Sequence, residues 1–161
     1  MPLFPNTMIS AFLPLFQNGT PASADAAKRM ATAYTAYCQT AVFGGTLPIF
    51  TGLEEQLLET TLLVALTAPI GLPGLFSNAW QIGIKAFWLT PPILTASLAA
   101  SGQVGAMPGA DSVAGQLTAL FANPLNTAEL AATELALTLD SATRTLTAVV
   151  TPPGGTPVPV S

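Results

Sequence analysis

The sequence predicts a mainly α fold: a compact bundle of about five helices with an extended N-terminal arm and a C-terminal β-strand leading into a Pro-rich tail. Three observations carry this. Apolar residues recur at three- and four-residue steps in separate windows, each bounded by proline or glycine. The stretch Leu75 to Leu89, LFSNAWQIGIKAFWL, gathers both tryptophans and two of the eight phenylalanines, the side chains that bury most area per residue. Strand-like alternation of β-branched residues occurs late, in Arg144 to Val150. With 161 residues, the chain is long enough for one domain with its own core. The expected organisation is an arm over residues 1–22, a helical domain over 23–142 and a strand with tail over 143–161.

The arm is expected to be extended because Pro2, Pro5 and Pro14 interrupt it, and its apolar residues stop at the turn signal Asn18-Gly19. Ser23 then offers an N-cap, followed by Ala26, Met30, Ala33, Tyr34, Tyr37, Cys38 and Ala41 at helical spacing until Gly44-Gly45. After Pro48, Thr51-Gly52-Leu53-Glu54 has capping-box spacing, so a second helix begins there with Glu54, Glu55 and Glu59 where they complement the helix dipole. From Leu62 to Leu66 it is apolar on all sides, which predicts a buried second half, and Pro69 with Gly71-Leu72-Pro73-Gly74 ends it.

The central helix over 75–89 presents one row of Phe76, Trp80, Gly83 and Phe87 beside another of Leu75, Ala79, Ile82 and Ala86. Only Asn78, Gln81 and Lys85 mark a polar side, which predicts neighbours on most sides. Thr90-Pro91-Pro92 stops it. Ile93 to Ala100 is expected to add a short helix, and GQVGAMPGA over 102–110 a mobile loop. Asp111 or Ser112 caps the next helix, with Val113, Leu117, Leu120 and Phe121 on one face and Asn123-Pro124 as its stop. Asn126-Thr127-Ala128-Glu129 starts the last, which runs to about Leu139. The strand near Val150 and the tail TPPGGTPVPVS have no evident partner, so pairing with another subunit or with the arm is expected.

Composition bears most directly on function. Charged residues make up 7% of the chain, against roughly 25% in ordinary soluble domains. Twelve charges cannot cover a dispersed monomer, so other subunits or lipid must cover part of the surface. Eight acids against four bases give a net charge of −4, which argues against specific nucleic-acid binding. Histidine is absent, and with it the commonest metal ligand and general base. Cys38 is alone and reads as a small buried apolar residue.

No Walker loop, HExxH, hydrolase elbow or paired cysteine is found, and the glycines of 102–110 lack the lysine of a phosphate cradle. Nothing in the sequence marks a catalytic, cofactor-binding or metal site, and no cofactor is expected. The chain is not expected to be an enzyme, although the Trp80/Trp88 region offers an apolar pocket as a minor reading. Absence of Lys or Arg before Lys28 argues against a signal peptide. Thr60 to Ile84 and Ala86 to Ala110 are uncharged and each exceeds the roughly 20 residues that span a bilayer. Their central prolines and glycines favour a buried helical core over membrane spans.

Four stretches, AYTAYCQ (33–39), TGLEEQLL (51–58), AWQIGIKAFW (79–88) and FANPLNTAELAATELALTLDSATRTLTAVV (121–150), together resemble small virion structural proteins of tailed bacteriophages. The resemblance covers residues 23 to 150, is compositional, and transfers no site residues. It implies a ring or collar subunit of the neck, head-completion or tail region, assembled in the host cytoplasm into the virion. Such a subunit works by homo-oligomerisation and by contact with other virion proteins, and a weakly acidic surface would let DNA slide past it. A small holin-like membrane protein is the alternative.

Overall fold

A computed structural model describes residues 3–18, 22–43, 47–68, 73–89, 92–94, 101–150 and 157–159. The described chain is mainly helical: α1 (Asn6–Gln17), α2 (Ser23–Cys38), α3 (Leu53–Leu66), α4 (Pro73–Phe87), α5 (Ala110–Ala122) and α6 (Ala128–Thr143). Short strands β1 (Leu47–Pro48), β2 (Pro92–Leu94), β3 (Ser101–Ala106), β4 (Thr147–Val150) and β5 (Pro157–Pro159) form an antiparallel sheet in sequential order.

The helix beyond the expected five is α1, which replaces an extended arm. Its prolines mislead because Pro5 stands just before the first helical residue, where its missing N–H leaves no intrahelical bond unmade. Pro14 lies inside the helix and removes one hydrogen bond. Burial offsets that cost, since Met8, Phe12 and Leu15 share one side and enter the core. Gln17 Nε2 donates to Glu129 at the start of α6, 2.9 Å away. Leu3 is also buried, and its carbonyl accepts from Arg144 Nη2 at 2.8 Å. The N-terminal residues are therefore part of the core, and deleting 1–22 is expected to unfold the domain rather than only weaken assembly, as loss of the far-ultraviolet helical signal would show.

The sheet supplies the second correction. The strand near Val150 has partners on both sides within the chain: β4 pairs with β3 and with β5. Its β3 partner occupies most of the Gly-rich segment expected to be a loop, with a register shift between Val104 and Ala106. The expected helix over 93–100 gives way to β2 through Leu94; the rest of that segment lies outside the described residues, as do Asn18-Gly19's second residue, Gly44-Gly45, Pro69 to Leu72 and 151–156. Prolines mark both outer strands, Pro48 on one and Pro157 and Pro159 on the other. Lacking N–H groups, they blunt the edges against further strand addition.

Around α4 the core is aromatic. Trp80 meets Phe12, Tyr34 and Phe76 edge-on at centroid distances of 6.0, 6.2 and 6.3 Å, and Phe87 meets Tyr34 at 5.2 Å and Phe50 at 5.1 Å. Among the described residues, the buried polar groups beside it are satisfied apart from Trp80 Nε1, which has no hydrogen-bond partner. Trp88 Nε1 donates to Tyr34 Oη at 2.9 Å. Thr143 gives its own hydrogen to the Leu139 carbonyl, so Tyr34 is the donor in its 2.8 Å bond to Thr143 Oγ1. Tyr37 Oη donates to Asp140 at 2.6 Å, and Arg144 Nε closes on the other carboxylate oxygen at 2.8 Å.

Gly83 of α4 stands close against α3: a Cβ there would stand 2.5 Å from Cδ1 of the fully buried Leu58. Gly83→Ala is therefore expected to cost about 1–3 kcal/mol by overpacking, against a gain in helix propensity of up to about 1 kcal/mol. Urea denaturation checks this, and a stabilised variant would show that Leu58 has room to move.

Candidate interaction face on helices α3 and α4

Sequence periodicity places the second half of α3 and both rows of α4 in the core, and the structure buries only one side of each. On α3, Glu54, Leu58 and Leu62 are buried, whereas Leu53, Leu57 and Val64 are exposed, Val64 by 67%. On α4, Ser77, Ala79, Trp80, Gly83, Ile84 and Phe87 are buried, whereas Leu75 and Ile82 of the expected second row are exposed, Ile82 by 61%. Val64, Ile82 and Leu75 edge a shallow groove of about 610 Å³ floored by Thr61, Ala65 and Ala79.

Of the residues read as the solvent side, Gln81 and Lys85 reach α5: Gln81 Oε1 accepts from the Ala114 N–H at 3.3 Å, and Lys85 pairs with Asp111 while remaining exposed. Asn78, the third, stays exposed and lines the groove beside Leu75 and Ile82, which face outward with it. The acids of α3 are likewise drawn aside. Glu54 folds back and accepts from the Thr51 N–H at 2.9 Å, one half of the expected capping box, and Glu55 accepts from Thr32 of α2 at 2.6 Å. Glu59 lies one turn beyond Glu55 and is half-buried. Thr61 and Thr67 satisfy their hydroxyls on the carbonyls of Leu57 and Leu63, at 2.7 and 2.8 Å. What remains is an uncharged, largely apolar face on two helices, with Thr60 and Asn78 as its exposed polar members.

Other candidates do not converge. The three glutamates of α3 are not gathered around one point, and among the described residues no three His, Cys, Asp or Glu side chains stand together to hold a metal ion. Cys38 is fully buried, and burial pushes its thiol pKa up, so a small core residue is what the site contains. Trp80 is fully buried in the core, while Trp88 borders a cleft of about 450 Å³ beside Val104 to Pro108 whose charges, Lys85 and Asp111, neutralise one another. Asp111 therefore does not cap α5, which starts at Ala110 without a side-chain cap. Thr127, rather than Asn126, caps α6 by accepting from the Leu130 N–H at 3.2 Å.

Among the described residues, no helix is long and apolar enough to cross a membrane. No family model, curated protein or solved structure matches this chain.

Proposed function

We propose that this chain is a structural subunit of a tailed-phage virion, in the neck, head-completion or tail region, that works by self-association and by contact with other virion proteins. It carries out no catalysis and uses no cofactor. One observation supports the reading above the others: side chains apolar enough to read as core, Val64, Leu75 and Ile82, stand at the surface on a face without charge. In a chain with 7% charged residues, another protein surface is the natural cover for such a face. The resemblance in residues 23 to 150 supplies the phage context. Pairing of the terminal strand with another subunit is not part of the reading, because β4 lies between β3 and β5 of its own chain.

The test is the mass of the chain purified without detergent, measured by light scattering after size exclusion, with mass spectrometry of purified particles for its presence in the virion. A defined soluble multimer is expected, and Val64→Asp with Ile82→Asp is expected to weaken it by about 100-fold, roughly 2.7 kcal/mol, because each carboxylate would be buried without a partner. Recovery only from membranes, or a monomer at every concentration, would overturn the reading.

A further inference from the structure

We infer that the α3–α4 face is covered by the same face of a second copy of this chain, across a two-fold axis passing beside Thr60; this rests on the structural-subunit reading and names its partner. The first argument is periodicity. Leu53, Leu57, Thr60, Val64 and Thr67 are all exposed, and their steps of four, three, four and three residues form a seam with the 3.5-residue repeat by which one helix packs along another. A small apolar ligand or a sheet edge has no such repeat.

Charge is the second argument. In a two-fold contact the side chains near the axis meet their own copies, so any charge there meets its like. This face satisfies that condition because the five seam positions are uncharged, Glu54, Glu55 and Lys85 are turned to Thr51, Thr32 and Asp111, and the half-buried Glu59 lies off the seam on the side of Glu55. A strongly charged partner would find nothing to pair with. Shape is the third. Antiparallel seams centred on Thr60 set Leu57 against Val64 of the second copy and Leu53 against its Thr67, a larger side chain against a smaller one in each of these layers, with the exposed Ile82 flanking the seam.

Thiol crosslinking of the full-length chain in a Cys38→Ala background tests the proposal. Thr60→Cys is expected to form a disulfide-linked dimer on mild oxidation about 100-fold faster than Glu134→Cys, at an exposed position of α6, since thiols beside the axis have a millimolar effective concentration against micromolar chains. Mixed Leu57→Cys and Val64→Cys chains should also crosslink, and they give the same test if Thr60→Cys fails to fold. A multimer by light scattering in which none of these crosslinks faster than Glu134→Cys would overturn the two-fold contact and leave the structural-subunit reading standing. A monomer throughout would overturn both.

Discussion

Replacing Trp80 with alanine is expected to lower the free energy of unfolding by about 3–5 kcal/mol, the range for truncating a buried aromatic. The indole is fully buried and meets rings from α1, α2 and its own helix, through Phe12, Tyr34 and Phe76, so its loss opens a void where helices meet. Phe87→Ala, two turns along the same buried side, is expected to cost a similar amount. The two tryptophans should respond differently to phenylalanine. Trp80 Nε1 is buried without a hydrogen-bond partner, whereas Trp88 Nε1 donates to Tyr34. Trp88→Phe should therefore cost about 1 kcal/mol more than Trp80→Phe beyond the loss of ring volume. Urea denaturation followed by circular dichroism measures all four, and a loss below about 1 kcal/mol for Trp80→Ala would show that α4 is not the centre of the core.

Raising the pH above 10 is expected to unfold the protein steeply. Both tyrosines of the chain, Tyr34 and Tyr37, are in the core, and burial holds each phenol well above its usual range. For Tyr37 the bond to Asp140 and the carboxylate's charge push the same way. Burial also raises the Cys38 thiol. A folded-state pKa above the unfolded value means that the native state keeps a proton the unfolded chain releases. Stability from these groups is thus fully present below about pH 9–10 and falls above it by about 1.4 kcal/mol per pH unit for each group. Three groups together give about 4 kcal/mol per unit once all are ionised in the unfolded chain. Tyrosinate absorbance should stay silent until the helical signal is lost, then appear cooperatively, and Tyr37→Phe should reduce the pH slope by one proton. Smooth phenolate titration near pH 10 in a chain that keeps its helices would exclude this arrangement.

Helices α2 to α6 were legible because each carries apolar residues at helical spacing between strong stops. Their ends were less so: Ser23 donates to the Leu66 carbonyl instead of capping α2, which ends at Cys38, before Gly44-Gly45. Helix α1 was hidden by Pro5 and Pro14, since punctuation by proline is a local signal and the burial of Met8, Phe12 and Leu15 is not. The sheet was hidden for a related reason. Apart from β4, strands of two to six residues carry too few alternations to register as a period, and the partner of β4, β3, lies across α5 and α6 in the sequence. Nothing in Ser101 to Ala106 announces that Thr147 to Val150 will lie beside it.

The candidate face shows the division most plainly. Sequence alone determined that Val64, Leu75 and Ile82 are apolar, that charge is scarce around them, and that α3 and α4 are helices, because composition and 3.6-residue periodicity are properties of neighbours along the chain. Only the tertiary structure decided which side of each helix is inside. That depended on long-range packing: α4 turns Trp80, Gly83, Ile84 and Phe87 into the core, Gln81 and Lys85 reach α5 from its flank, and Leu75 and Ile82 are left outward with Asn78. A helix apolar on most sides offers more than one face to a core, so its rotation is set by which large side chains find partners elsewhere in the fold.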